Sequence, residues 1–177
     1  MNASTLSARV PDLTVVPPGR ALPPRPDGKR PEQARPLPAP VLAALETQRL
    51  TMNQAALAAP GPLHVLLYAL TGPHREANGD LAAARGYAQA QHLTVAGPPI
   101  VDTLDDVDIR TGGDDPLLRR GYAHALRMVA DPGCAVRGVV AVSRTALTAA
   151  DRLYADQLTW YADRRAGLWL VRGETQI

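Results

Sequence analysis

The sequence contains no phenylalanine, one lysine (Lys29) and one cysteine (Cys134) in 177 residues. Each scarcity excludes something. A single cysteine allows no intramolecular disulfide, so the fold must be held by packing, as expected of a protein in a reducing cytoplasm. Arginine supplies 18 of the 19 basic side chains, which together with abundant Ala and Pro reads as GC-rich coding bias. Arginine number alone is therefore no argument for nucleic-acid binding. No stretch approaches the roughly 18 apolar residues of a membrane span, and no apolar leader opens the chain. The expectation is a cytoplasmic protein with no membrane association. Net charge is also small, at +2, and it is unevenly placed. Residues 1–40 carry six basic groups (Arg9, Arg20, Arg25, Lys29, Arg30, Arg35) against Asp12, Asp27 and Glu32, while the remainder holds 13 basic and 14 acidic side chains. The body thus has no net-charge reason to attract nucleic acid.

What the sequence does have is proline at one end. Ten of its 17 prolines lie at or before Pro40. Proline fixes φ and removes a backbone donor, so residues 1–40 read as a basic, proline-rich disordered tail. Within it, Arg20-Ala-Leu-Pro23-Pro24-Arg25-Pro26 has the spacing of a ligand for polyproline-binding grooves, although such spacing also arises in any spacer of this composition. Arg20, Arg25, Lys29, Arg30 and Arg35 are the positions through which the tail would reach DNA or a protein partner.

Residues 41–59 form the next unit, with a helix over 41–58 between Pro40 and Pro60-Gly61-Pro62. Val41, Leu42, Leu45, Met52 and Ala56 share one face, and Leu50 and Leu57 fall opposite. Apolar groups on two sides suit either a helix contacting two surfaces, one of them a second copy of the chain, or a loosely docked helix. From residue 63 to 173 strands and helices alternate. Leu63–Leu70 is an apolar run typical of a strand buried on both faces. A helix follows over 80–92, then a short strand at Leu93–Ala96 that resumes at Ile100–Val101. Asp115 caps and Pro116 opens a helix running to Ala130. On it Leu118, Tyr122, Ala125, Leu126 and Val129 form the buried face, and Arg120, His124 and Arg127 a polar stripe. Gly138–Val142 is a second central strand. Thr148 and Asp151 make a capping-box-like start to a helix that Gly167 stops, and Leu168–Val171 is the last strand. The pattern predicts an α/β fold: a four-stranded, mainly parallel sheet with flanking helices and right-handed crossovers, preceded by an extra helix and the tail.

In such sheets chemistry sits in the loops beyond the carboxyl ends of the strands: Thr71–Gly79, Asp102–Asp115 and Ser143–Ala146. Taken together these segments resemble the catalytic domain of the serine recombinases, the resolvases and invertases. That family's Tyr-x-Arg-x-Ser strand end is echoed by Tyr68-Ala69-Leu70-Thr71-Gly72, and its Leu…Tyr-Ala helix by Leu81 and Tyr87-Ala88. Its Arg-x-Gly-Leu helix start is echoed by Arg119-Arg120-Gly121-Tyr122. Its Asp-Arg-x-x-Arg strand end corresponds to Ser143-Arg144-Thr145-Ala146-Leu147. The resemblance spans roughly residues 63–173 and implies a resolvase-like fold. It equally implies a lost activity. The nucleophilic serine falls on Gly72, the neighbouring arginine on Leu70, the aspartate on Ser143 and the second arginine on Leu147; only Arg144 survives. A hydroxyl nucleophile and several guanidiniums are needed to attack a phosphodiester and stabilise its transition state. Thr71 offers a hydroxyl next to the expected position, but on extended backbone it points to the opposite side. The family's long dimer-forming helix and DNA-binding domain have no counterpart before Ile177.

Other motifs carry less. Gly112-Gly113-Asp114-Asp115 resembles the signature of cyclic-dinucleotide synthases, yet Pro116 follows directly, as in a turn and helix cap. Asp102, Asp105, Asp106, Asp108, Asp114 and Asp115 lack calcium-loop spacing. His64, His74, His92 and His124 are scattered, and Cys134 reads as an idle thiol. No metal and no cofactor are expected. The leading expectation is a catalytically degenerate recombinase-like domain serving as an interaction or regulatory module, associated with DNA through its tail. Homo-oligomerisation through the 41–58 helix is the expectation for self-association. Two alternatives stand beside it: an α/β enzyme using Thr71, Ser143 and Arg144 on a phosphoester, and a structural subunit whose proline-rich arm drapes over a neighbour.

Overall fold

A computed structural model describes residues 38–72, 76–103 and 115–174. The tail cations Arg20, Arg25, Lys29, Arg30 and Arg35, the proline spacing at 20–26, and Asp105, Asp106, Asp108 and Asp114 lie outside the described residues. The order of elements is α1 (Ala39–Ala58), β1 (His64–Thr71), α2 (Asn78–Ala90), β2 (Thr94–Val95), β3 (Ile100–Thr103), α3 (Arg120–Ala130), β4 (Val136–Ala141), α4 (Asp151–Asp163) and β5 (Gly167–Leu170). Short 3-10 turns at Pro116–Leu118 and Arg144–Ala146 precede α3 and α4.

All strand pairings are parallel, and the sheet runs β2–β1–β4–β5 with β3 also on β1. The sheet therefore has five strands rather than four. β2 and β3 are two halves of one edge position, separated by Gly97-Pro98-Pro99, where proline supplies no ladder donor. On one face α2 packs Ala84 and Ala88 on Val65, Leu67 and Val140. On the other, α3 and α4 bring Tyr122, Leu126, Tyr154, Leu158 and Tyr161 onto Leu66, Tyr68, Val139 and Leu168. β1 is buried on both sides, as its continuous apolar run requires. Gly138 and Gly167 face each other across β4 and β5, and a Cβ on either would run into the Trp169 indole.

α1 covers the free edge of β5. Its buried face is Leu45, Arg49, Met52, Asn53 and Ala56, while Leu50 and Leu57 stay exposed. Asn53 does for the edge what another strand would do. Its amide donates to the Leu168 carbonyl at 2.8 Å, and its carbonyl accepts from the Leu168 N–H at 2.8 Å. Arg49 pairs with Glu174, which also accepts from the Tyr154 hydroxyl at 2.9 Å. Val41, expected on the packed face, is exposed instead; the helix begins beyond the end of the surface it covers.

The buried Glu174 gives stability a pH dependence. Burial by itself would raise its carboxyl, but the Arg49 hydrogen bond and charge, with the Tyr154 hydroxyl, hold it below its ordinary value of 4.5. A depressed folded-state value stabilises the fold above the ordinary range, and the contribution is lost as pH falls through the lower, folded value. Thermal melts between about pH 6 and about pH 3 are expected to fall more steeply in the native chain than in Glu174→Gln. Equal slopes would show the pair to be neutral in folding.

Three local expectations are corrected. The helix opened by Pro116 is broken: Asp115 does cap, accepting from the Leu117 N–H at 2.9 Å, but over a 3-10 turn, and α3 starts anew at Arg120. The break turns Arg119 inward and leaves Leu118 exposed rather than buried. Thr148 and Asp151 do not form a reciprocal box. Thr148 accepts from the Ala150 N–H at 3.1 Å, while Asp151 pairs with Arg144. Finally α4 ends near Arg165 as expected, but the residue that terminates it is Arg165 itself, in the left-handed conformation at φ 52° just past the helix, and Gly167 lies inside β5.

Candidate functional site

After β1 the chain moves to one side of the sheet, to β2 and β3; after β3 it crosses over to β4 on the other side. The crevice beyond the carboxyl ends of β1 and β4 is thus the topological switch point, where open α/β sheets bind ligands. The fold brings Thr71, Ser143 and Arg144 to this end. Their side chains, however, are already engaged. Thr71 is buried, and its hydroxyl reaches the Asp102 carbonyl at 3.4 Å. The hydroxyls of Ser143 and Thr145 bond each other at 2.8 Å. Arg144 is only 7% exposed. It pairs with Asp151, donates to the Ala149 carbonyl at 3.0 Å and lies over the Tyr154 ring at 5.1 Å. Its Nε is buried and makes no hydrogen bond to any described residue.

Two residues that sequence reasoning named but did not place in the site organise this end. Arg119, buried by the break before α3, donates to the Ala146 and Leu147 carbonyls at 3.0 and 2.6 Å. It thereby ties the start of α3 to the turn after β4. Asp102, placed in sequence within an acidic run, is buried at the end of β3. Its carboxylate accepts from the Gly121 N–H at 2.8 Å, the Tyr122 N–H at 2.9 Å and the Tyr68 hydroxyl at 3.1 Å. A carboxylate on the first free amides of a helix satisfies orphan donors and complements the helix dipole. Gly121 makes this approach possible: a Cβ there would stand 2.7 Å from the Asp102 carboxylate and 2.7 Å from the Ile100 side chain.

Tyrosines fill the space beneath. Tyr68 and Tyr122 meet edge to face at 5.1 Å, and the Tyr122 hydroxyl reaches Gln157 at 3.1 Å and Tyr161 at 3.3 Å. Burial pushes the Tyr68 phenol well above its ordinary value, partly offset by the charge of Arg119 and reinforced by Asp102. Tyr122 and Tyr161 are raised by burial as well. Burial thus favours the neutral phenol at all three. One clue to Asp102 was present in the sequence: it lies two residues after Ile100, on the same face of an edge strand, and Gly121 opens the next helix.

Comparison with known proteins found no relative: no family model, no curated protein and no solved structure matches the chain. Among the described residues no group of three His, Cys, Asp or Glu side chains could hold a metal ion, and no helix is long and apolar enough to cross a membrane.

Proposed function

We propose that the chain is a catalytically degenerate serine-recombinase-like domain acting as an interaction or regulatory module. One observation carries the reading: at the end of the sheet where phosphoryl transfer would occur, Gly72 offers no nucleophile and the Arg144 guanidinium is enclosed by Asp151, the Ala149 carbonyl and Tyr154. A guanidinium committed to internal acceptors is withdrawn from charge stabilisation of a transferring phosphate. Association with DNA, in this reading, belongs to the tail.

The test is incubation of the full chain with supercoiled and linear duplex DNA, followed by denaturing electrophoresis. No covalent protein–DNA adduct is expected, and none from Gly72→Ser, because the guanidiniums remain turned inward. An adduct of the native chain that disappears in Thr71→Ala or Ser143→Ala would overturn the reading. For the tail, duplex binding is expected to weaken steeply with salt. Replacing Arg20, Arg25, Lys29, Arg30 and Arg35 by serine would lower the slope by as much as about 4.5, at about 0.9 per phosphate contact.

A further inference from the structure

The first turn of α2 carries the sequence Glu76-Ala77-Asn78-Gly79-Asp80, and three observations meet there. First, asparagine directly precedes glycine, and both residues are exposed. A Cβ at Gly79 would meet no described atom within 4 Å, so nothing crowds the peptide bond between the two. Asn78 alone among the asparagines has this neighbour. Asn2 precedes Ala3, and Asn53 precedes Gln54 and is buried with its amide held by Leu168. Second, the first helical bond of α2 runs from the Leu81 N–H to the Ala77 carbonyl at 2.9 Å. The Gly79 N–H lies ahead of it, among the first-turn donors that no helix carbonyl takes. Third, the Asn78 side-chain amide donates only to the Glu76 carboxylate, at 2.8 Å in an exposed position. Such a bond has little net worth in water.

We infer that Asn78 is a site of spontaneous covalent modification, its side-chain amide being converted to an acid through a cyclic imide closed by Gly79. The Gly79 nitrogen gives up its proton to water and bonds to the Asn78 Cγ. The Cγ–Nδ2 bond then breaks and ammonia leaves. Water opens the imide in one of two ways. Cleavage between Cγ and the Gly79 nitrogen leaves an aspartyl residue at position 78. Cleavage between the Asn78 main-chain carbonyl carbon and that nitrogen leaves an isoaspartyl linkage, with the main chain running through Cγ. One ammonia goes out, one water comes in, and no atom changes oxidation state. The fold favours the step in two ways. Ring closure needs rotation of ψ at Asn78, and fraying of the helix end supplies it at the expense of the Leu81–Ala77 bond. Negative charge develops on the Gly79 nitrogen and then on the Asn78 amide oxygen, at the positive end of the helix dipole. Asp80 lies 3.9 Å from Arg172, beyond the end of β5, so the new carboxylate appears at the carboxyl end of the sheet.

The test incubates the full chain at mildly alkaline pH in water enriched in heavy oxygen. Peptides are then mapped by mass spectrometry, with fragmentation that separates the two linkages. A synthetic peptide covering residues 76–84 is incubated beside it. Conversion is expected in both, with heavy oxygen incorporated at position 78 and the Asn53 amide retained. Gly79→Ala adds a methyl group in open space and suits the helix. It should keep most of its amide at position 78 when half of that in the native chain is gone. Asn78→Asp should co-elute on anion exchange with the acidic fraction that the native chain acquires with time. An amide that persists in the folded chain while the free peptide is converted would overturn the inference, because the first turn would then be protecting it. Equal rates in Gly79→Ala and the native chain would overturn it too, pointing to direct hydrolysis without the imide.

Discussion

A chain lacking residues 1–60 is expected to lose its cooperative thermal transition and to elute as aggregate in size-exclusion chromatography. The truncation removes Leu45, Met52 and Ala56 from the core and uncovers β5 along its outer edge. An unprotected edge strand invites pairing with other chains. Single substitutions separate the contributions. Asn53→Ala leaves both backbone groups of Leu168 without their partner and is expected to cost about 2–6 kcal/mol, at about 1–3 kcal/mol for each buried group left unsatisfied. Arg49→Met leaves the Glu174 carboxylate buried without its cation and is expected to cost about 3–5 kcal/mol near neutral pH. Urea titrations followed by circular dichroism read both. Retention of a sharp transition by the truncated chain would reduce α1 to an appendage. For the same reason, self-association through α1 is better tested on Leu50→Glu/Leu57→Glu, whose substitutions fall on the exposed face. A fall in light-scattering mass there would locate an interface without disturbing the edge.

The second large effect is expected at Asp102. Asp102→Ala removes the shared acceptor of the Gly121 and Tyr122 amides and the Tyr68 hydroxyl, leaving buried donors stranded. Roughly 3–5 kcal/mol is expected, seen as a lower urea midpoint at unchanged slope. Asp102→Asn should fall between, since an amide offers one acceptor atom where the carboxylate offers two. Gly121→Val should reproduce much of the loss from the other side, because its side chain would displace the carboxylate. Amide hydrogen exchange in the first turn of α3 would locate the damage. A native-like midpoint for Asp102→Ala would show that water replaces the carboxylate at no cost.

The alternation of strands and helices was readable because burial imposes it. β1 is apolar throughout since helices cover both its faces, and α3 shows the period of a helix packed on one side. Element ends were less readable. Sequence logic assigned the stop of α4 to Gly167, the nearest glycine, whereas both α2 and α4 close on a non-glycine residue with positive φ, His92 and Arg165. Each closes with paired backbone bonds, Leu93 to Ala88 and Ala166 to Tyr161, that reward the conformation. The polar interior was the least readable part. Arg49, Asn53, Asp102, Arg119 and Arg144 are types that composition places on the surface. All but Arg144, whose partners Ala149, Asp151 and Tyr154 follow it closely, are buried because a partner far along the chain meets them, and separations such as the one between Asn53 and Leu168 leave no trace in local periodicity. At the switch point the sequence correctly placed Thr71, Ser143 and Arg144 on one end of the sheet. It could not show that their polar atoms are taken up by Thr145, Asp151 and backbone carbonyls rather than a guest.

The opposed glycines of β4 and β5 bind three positions into a single inherited unit. With the Trp169 indole lying where side chains at 138 and 167 would stand, no one of the three can drift alone. A methyl group at Gly167 becomes tolerable only once the indole is exchanged for something small, one at Gly138 would in addition meet the Gly167 carbonyl oxygen at 2.4 Å, and a smaller residue at 169 leaves a void until Gly167 is filled. Their mutational effects must therefore be non-additive. In any set of descendants of this chain, the three sites should change as a group or not at all.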